Sequence, residues 1–577
     1  MRFSVKIVGA AGQGILSIGG ILAKAVKRSN IYVFGYRENP SLIKGGVTTY
    51  QVDMSDTNIY SVQKKVDIMM ALNKEGIKEK ISDMKENGIL IHFFNDLSFN
   101  EKEEFFIKEK NIKLLFIDID AFLKENSLEK IFENIYMLGM AWKMIGLSYE
   151  VIEDVVKEYF AKKPVLLEKD LICMKAGFEF VKDIDLDISN LKSSNTINED
   201  ILLDGSESIV LGAISAGVRG YFAYPMSPSS GILTHMAKYA KKTGIVVKQA
   251  EDEITASNMV IGAMHMGTRA FTATSGGGFD LMTETVSMAA ITETPFVCVI
   301  GQRPGPATGL PTWTAQADLL MSIYSGHGEY AKCVMAVSDV KSSYKVIYEA
   351  FNIAERYQTI VLVLADKYVL ESLEQVDTLE FEGMNIDRGK LILDESKLKA
   401  IIAADRYDIN EPSGVSYRWL PGSNGEVFNA NADEHSSNGD TTEEPDEAIK
   451  SIDKRLRKLD TMKEDFPDPE LYGDESGDTL FIGWGTTKMV MMDAMKASEK
   501  NFSYLHYEYL WPLRTDVLED VFSKFNKIIL VEGNKTAQLG TIIKQNADFK
   551  VDFDDYILKY DGRPFFIDDI LEYLDNN

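Results

Sequence analysis

Short β-branched runs alternate with helix-length stretches along most of this chain, and that alternation permits few folds. Phe3, Val5 and Ile7 occupy alternate positions up to Gly9, and Gln13 to Lys27 then carries apolar residues at helical spacing. Comparable strand candidates recur at 89–94, 114–117, 245–248, 270–274, 296–300, 360–364, 480–484 and 528–532. Parallel strands need a crossover between them, so the pattern predicts an α/β, multidomain chain with mostly parallel sheets. A chain of 577 residues also exceeds what one hydrophobic core usually holds, so it should divide.

The expected divisions follow composition. Residues 1–182 form a first α/β unit. Residues 183–205 are acidic and Ser/Asn-rich without helical apolar period, as a linker is. A second α/β unit spans 206–385. Residues 386–475 read as a connector, holding the acid-rich stretch 424–448 and a basic run of Lys450, Lys454, Arg455, Arg457 and Lys458. That run is expected to be a solvated helix face. A third α/β unit occupies 476–577.

Charge and cysteine usage exclude several functions. Lys and Arg total 62 against 88 Asp and Glu, a net charge of −26, which repels nucleic acid and anionic membranes. Cys173, Cys298 and Cys333 include no CxxC pair and cannot supply four thiolates to an iron–sulfur cluster. The six histidines lack metal-ligand spacing, so no metal site is expected. No apolar run approaches the roughly 18–20 residues of a membrane span. A cytoplasmic protein is expected.

Gly9-Ala10-Ala11-Gly12-Gln13-Gly14 lies between a strand and a helix. Gly12 and Gly14 there suit either backbone contact with an anion or a tight strand–helix turn. It is neither a P-loop nor the GxGxxG dinucleotide fingerprint.

The middle unit is more informative. Tyr224-Pro225-Met226-Ser227-Pro228-Ser229-Ser230 follows a strand and offers three hydroxyls, although a turn with Ser caps has the same look. Glu251-Asp252-Glu253 opens a helix, where acids already complement the dipole. Thr274-Ser275-Gly276-Gly277-Gly278 ends another strand, and Gly301-Gln302-Arg303-Pro304-Gly305-Pro306 a fourth. Four such junctions within about 90 residues are best read as one site at a sheet edge.

These residues resemble a known family. Residues from about 205 to 370 look like the pyrimidine-binding domain of the 2-oxoacid:ferredoxin oxidoreductases, which are thiamine diphosphate enzymes. Glu253 stands nine residues before Gly262, as the Glu that contacts the aminopyrimidine does. The Tyr224–Ser230 turn resembles the family's YP-I/V-TPSS turn, and Gln302-Arg303 with Gly305-Pro306-Ala307-Thr308-Gly309 resembles its QR-x-GPSTG segment. Residues 1–182, with the glycine loop and Pro40-Ser41…Lys44-Gly45-Gly46, resemble the gamma domain, fused here ahead of the alpha unit. The last hundred residues, with Gly483-Trp484-Gly485-Thr486, Trp511-Pro512-Leu513 and Glu532-Gly533-Asn534…Gln538-Leu539, resemble its transketolase-like C-terminal domain. Departures fall on the substrate side, where Ser227 replaces a Thr, Gly277 a Pro and Ala307 a Ser.

The resemblance implies an alpha subunit that decarboxylates a 2-oxoacid oxidatively, transfers the acyl group to CoA and passes electrons to ferredoxin. Glu253, Arg303 and Ser227 become the expected catalytic residues: Glu253 on a pyrimidine ring nitrogen, Arg303 on the substrate carboxylate, Ser227 on the oxoacid oxygens. Glu253, Tyr224, Pro225, Thr274, Ser275, Gly276, Gly12 and Gly14 become the expected cofactor contacts. No GDG motif for diphosphate and Mg is present. The implied beta subunit therefore carries that motif and the [4Fe-4S] cluster, in an alpha-beta or (alpha-beta)2 assembly. A subunit of a non-ferredoxin thiamine enzyme, and a catalytically silent assembly or regulatory subunit, remain open on the residues alone.

Overall fold

The computed structural model describes residues 2–39, 45–181, 191–194, 199–379, 383–401, 405–423 and 427–577. The chain forms two compact units. One comprises Met1–Leu203, Ser372–Thr378 and Phe566–Asn577, the other Asp204–Glu371 and Leu379–Phe565.

The first unit is built on an eight-stranded sheet, in the order Lys113–Phe116, Met84–His92, Val66–Ala71, Arg2–Ala10, Val47–Ser55, Tyr32–Glu38, Leu373–Val376, Ile201–Asp204. Parallel pairing holds from Arg2–Ala10 through Val66–Ala71 and Met84–His92 to Lys113–Phe116. Arg2–Ala10, Val47–Ser55, Tyr32–Glu38 and Leu373–Val376 pair antiparallel. Strand Arg2–Ala10 is buried along nearly its whole length, as a central strand covered on both faces must be. Helix Ile15–Arg28 packs beside it on Ile15, Ile18, Leu22 and Val26.

The second unit holds two sheets. A seven-stranded sheet runs Tyr509–Trp511, Lys332–Ala336, Ile360–Asp366, Phe296–Gln302, Ala270–Ser275, Gly220–Ala223, Val246–Gln249. It is parallel except for Tyr509–Trp511 at its edge. A five-stranded sheet runs Glu470–Tyr472, Ser503–Tyr507, Gly477–Trp484, Phe525–Glu532, Asp555–Leu558. It is parallel except for Glu470–Tyr472. Multidomain α/β architecture with mostly parallel sheets is therefore the fold, the antiparallel part of the first sheet being the main departure.

Several expected boundaries shift. In the stretch 183–205, residues 183–190 and 195–198 lie outside the described residues, but Ile201–Asp204 is a strand. The apolar triplet Ile201-Leu202-Leu203 supplies an edge strand, and the Asp204 carboxylate then caps helix Gly205–Ser215 by accepting the Glu207 N–H at 2.8 Å. Residues 476–565 share part of their core with the seven-stranded sheet: Leu480, Ile482, Trp484 and Leu530 lie in one apolar cluster with Cys298, Ile300, Leu362 and Leu364. The last helix, Ile567–Asn576, belongs to the first unit and buries Ile570 and Leu574. Ser372–Thr378, expected in the second unit, also belongs to the first.

The largest correction concerns the connector. Helix Pro445–Asp465 is not a solvated face: Lys454, Arg455 and Lys458 are buried. Lys454 and Lys458 close on the two carboxylate oxygens of buried Glu293 at 2.5 and 2.6 Å. Nearby, Glu355 receives Arg269 at 2.8 Å, Arg388 at 2.6 Å and Arg418 at 3.3 Å. Residues 424–426 lie outside the described residues, whereas buried His435 bonds the Ile291 carbonyl at 3.1 Å. The connector thus supplies cations to two buried carboxylates at the N-terminal edge of the seven-stranded sheet. Burial pushes the Glu293 carboxyl up, but Lys454, Lys458 and Arg406 outweigh it and hold it well below the usual range.

Removing one partner from such a buried cluster leaves uncompensated charge, so Glu293→Gln should cost about 3–5 kcal/mol. Urea unfolding at pH 7 checks this. Because the folded-state carboxyl titrates below its unfolded value, its stabilisation is present above about pH 4.5 and lost on acidification. The gap between wild type and variant should narrow as pH falls.

Candidate active site

Strands Gly220–Ala223, Val246–Gln249, Ala270–Ser275 and Phe296–Gln302 are parallel neighbours, so their C-terminal turns open along one edge. The glycines there record how closely these turns meet. A Cβ on Gly301 would come 3.1 Å from Pro228 Cγ. One on Gly278 would come 2.1 Å from Thr274 Oγ1 and 2.8 Å from Glu253 Oε1. One on Gly276 would come 2.8 Å from Asp318 Oδ1. The Tyr224–Ser230 turn, the Ser275–Gly278 turn and Glu253 are brought together.

Glu253 is the first residue of helix Glu253–His265. Asp252 takes the capping position, its carboxylate accepting the Thr255 N–H at 2.7 Å, which frees Glu253 from that task. Glu253 is 3 % exposed, and its Oε1 is shielded from solvent without a hydrogen-bond partner. Thr274 Oγ1 is in the same condition across Gly278. An unpaired buried polar atom costs about 1–3 kcal/mol, so two side by side make this a candidate point of ligand contact. Only glycine fits at 278, because both oxygens pack directly against its backbone. Glu251 is exposed and outside the helix.

The other expected residues are placed as follows. Arg303 is half-buried and donates from Nη1 to the Ser227 carbonyl at 2.7 Å, so its fork is anchored at one corner to the neighbouring turn. Burial pushes its guanidinium down, opposed by Asp318. Ser227 itself is exposed, as is Tyr224, while Pro225 is half-buried. Of the three turn hydroxyls, Ser229 is buried and donates to the Met226 carbonyl at 2.7 Å, so it serves the turn and not a ligand. The Ser275 hydroxyl is engaged with Met226 Sδ at 2.6 Å. Gly276 begins a short helix and forms the cradle beside Asp318.

Gly12 and Gly14 belong to the other unit. Both have positive φ, 92° and 76°. Gln13 braces that loop, its Oε1 accepting the Ala10 N–H at 2.6 Å and its Nε2 donating to the Leu72 carbonyl at 2.9 Å. Positive φ at both positions suits a tight strand–helix turn. Pro40, Ser41 and Lys44 lie outside the described residues.

Two features of the edge escape a sequence reading. Asp318 enters it from the loop beyond Gly309, and its Oδ2 is buried without a partner. Burial, with Asp280 adding to it and Arg303 opposing, pushes its carboxyl up to about 7. In the sequence it looks like an ordinary acid ahead of helix Leu319–Tyr324. Second, the C-terminal motifs act by holding this loop. Gln316 donates to the Trp484 carbonyl at 2.9 Å and accepts the Gly533 N–H at 2.8 Å. Gln538 donates to the Ala317 carbonyl at 2.9 Å and accepts the Leu320 N–H at 3.0 Å. Buried Glu532 ties Trp484 to Asn534 behind them.

Known proteins resemble this chain along most or all of its length. The family described as pyruvate flavodoxin/ferredoxin oxidoreductase, thiamine diphosphate-binding, matches residues 211–453. The family described as pyruvate ferredoxin/flavodoxin oxidoreductase matches residues 4–180. The chain is 30% identical to the 2-oxoacid:ferredoxin oxidoreductase subunit alpha of a Sulfolobus species, covering 100% of this chain and 96% of that one. It is 26% identical to the 2-oxoglutarate oxidoreductase subunit KorA of Mycobacterium tuberculosis, over 92% of this chain and 83% of that one. Among solved structures, the 2-oxoglutarate:ferredoxin oxidoreductase from Magnetococcus marinus, with 2-oxoglutarate, coenzyme A and succinyl-CoA bound, superposes with a TM-score of 0.90 at 26% identity. That match covers 100% of this chain and 99% of the other.

Proposed function

This chain belongs to the 2-oxoacid:ferredoxin oxidoreductase family as an alpha-type subunit, and from that premise we propose how its residues serve the reaction. The activity is thiamine-dependent oxidative decarboxylation of a 2-oxoacid, with CoA as acyl acceptor, by a multi-subunit oxidoreductase. The observation that carries the residue assignment is the pair of orphaned buried oxygens, Glu253 Oε1 and Thr274 Oγ1, on either side of Gly278.

Thiamine diphosphate, when bound, supplies the nucleophilic carbon and the electron sink for decarboxylation. Glu253 would hydrogen-bond a pyrimidine ring nitrogen through its unpartnered Oε1, the contact through which it would serve acid–base chemistry. Thr274 offers its free hydroxyl to the same ring edge. Tyr224, Pro225, Ser275 and Gly276 wall the cofactor. Arg303 receives the substrate carboxylate on the part of its fork not committed to Ser227, where two parallel charge-assisted bonds fix position and rotation. The Ser227 hydroxyl bonds the oxoacid oxygens. An anion-contacting role for Gly12 and Gly14 is kept within their own unit, with their bracing by Gln13 as the competing explanation.

The partner beta subunit is proposed to hold the diphosphate, its Mg and the [4Fe-4S] cluster, and to pass electrons to ferredoxin from an alpha-beta or (alpha-beta)2 assembly. The missing GDG motif and the scattered cysteines support this split: Cys173, Cys298 and Cys333 are each buried and free. Free thiols also suit a reducing, cytoplasmic setting. Among the described residues no helix is long and apolar enough to cross a membrane.

Native purification with its partner, followed by a panel of 2-oxoacids, tests the activity. The division of labour is tested on the chain alone, which should show no visible iron–sulfur absorbance and no 2-oxoacid-dependent viologen reduction. Either signal in a verified single-chain sample overturns the two-subunit reading.

A further inference from the structure

The second unit also holds a cavity of about 330 Å³ beside strands Glu470–Tyr472, Ser503–Tyr507 and Tyr509–Trp511. Lys345, Asp468, Glu470, His506, Glu508 and Arg514 are among the residues that line it. A single water needs only about 10–15 Å³, so the space admits a molecule of several heavy atoms.

His506 is 3 % exposed, and its Nε2 is buried without a hydrogen-bond partner. The bonds behind the ring decide what that nitrogen can do. The Thr487 hydroxyl donates its one proton to the Trp484 carbonyl at 2.8 Å, so it must accept from the Tyr504 hydroxyl at 2.9 Å. Tyr504 then has no second proton to give, and at 3.1 Å it accepts from His506 Nδ1. Burial, reinforced by Lys488 and Lys345 against Asp339, holds the imidazole well below its usual range, so the ring is neutral. A neutral ring protonated at Nδ1 leaves Nε2 as a bare acceptor.

The charged groups of the lining favour the same kind of ligand. Arg514 has no N–H left to offer. Its Nε and Nη2 bond the Asp516 carboxylate at 3.0 and 2.8 Å, and Nη2 also lies 2.8 Å from Asp468. Its Nη1 donates to the Lys463 and Phe466 carbonyls. Glu508 Oε1 accepts from Lys345 Nζ at 3.2 Å, on a lysine side chain that is 47 % exposed. The carboxylates of Asp468, Glu470 and Glu508 thus face two cations, one of them fully engaged.

We propose that this cavity binds a small primary ammonium ion, held by His506 Nε2 and the Glu508 carboxylate. An ammonium brings three N–H donors and a positive charge, which suit an acceptor nitrogen beside surplus carboxylates. A metal ion is a poorer match: among the described residues no group of three or more His, Cys, Asp or Glu is arranged to hold one. An anion would meet carboxylates and a nitrogen without a proton. Lys345 is the built-in competitor, since its own ammonium already engages one oxygen of Glu508.

The test is thermal unfolding of the assembled complex with ethylammonium chloride, against tetramethylammonium chloride and KCl at equal ionic strength. Ethylammonium should raise the midpoint saturably, as a ligand of the folded state does. Tetramethylammonium, which has the charge but no N–H, should not, and neither should potassium. His506→Asn keeps a donor for Tyr504 but places no acceptor where Nε2 stood. It should weaken the apparent affinity about 10- to 100-fold, the usual effect of losing one hydrogen bond to a charged group. Lys345→Ala, at an exposed position, should tighten binding, because the competing cation is gone. That variant and the tetramethylammonium comparison decide the matter if His506→Asn does not assemble. Equal shifts with ethylammonium and tetramethylammonium, or no shift with either, mean a hydrated cavity only and overturn the proposal. So does unaltered affinity in His506→Asn, or affinity no tighter in Lys345→Ala. Ethylammonium binding by the isolated chain but not by the complex would mean that the partner fills the cavity, which also overturns a site for a free amine.

Discussion

Glu253→Gln should slow turnover of the assembled complex by about 10²–10⁴-fold, the usual range for loss of acid–base catalysis. The amide fills the same space and can still donate a hydrogen bond, but it cannot share or relay a proton. Folding and partner binding should survive, because Oε1 makes no bond within this chain that the substitution would break. Glu251→Gln provides the internal control. Glu251 is exposed and lies before the helix, so its loss should do far less. Single-turnover kinetics with saturating 2-oxoacid and CoA measure both. Equal effects, or a larger one at Glu251, would remove Glu253 from the proton path.

Arg303→Ala should lower kcat/KM for the 2-oxoacid about 30- to several-thousand-fold, the consequence of losing about 2–5 kcal/mol when one member of a buried charge pair is truncated. Thiamine affinity should barely change. Arg303→Lys should restore only part, since a point charge does not reproduce a planar fork. The bond from Arg303 Nη1 to the Ser227 carbonyl gives this experiment a real competitor, because an arginine that only ties two turns together makes that contact too. Such an arginine would show its loss as lower thermal stability or weaker subunit association, with the oxoacid KM unchanged in the fraction still assembled. Steady-state kinetics on size-selected complex distinguish the two.

Both predictions concern residues that were legible in the sequence, and the reason is local. Glu253, Ser227, Thr274 to Gly276 and Arg303 each sit within a few residues of the end of a strand whose β-branched run is plain in the chain. Parallel neighbours necessarily bring such ends to one edge, so the site's position follows from periodicity and turn chemistry. What each side chain does there is less legible. Ser229 and Ser275 carry the same hydroxyl as Ser227, yet both are engaged by Met226, which only the folded turn reveals.

The chain by itself determined its α/β class and its family, because these depend on short-range patterns and on motif order. Only the tertiary structure decided the fate of charge and of long-range partners. Lys454 and Lys458 read as a solvated stripe because lysine is rarely buried, and their counter-ion Glu293 lies about 160 residues away, beyond any local pattern. Asp318 reads as an ordinary acid before a helix, while the shielding of its Oδ2 depends on a loop that Gln316 and Gln538 hold against Gly276. The motif residues Trp484, Gly533 and Gln538 were recognisable as landmarks, but their work of holding the Asp318 loop required the five-stranded sheet to be seated against the seven-stranded one. A carboxylate's charge depends on what surrounds it in three dimensions, and desolvation and pairing come from residues that sequence distance does not order.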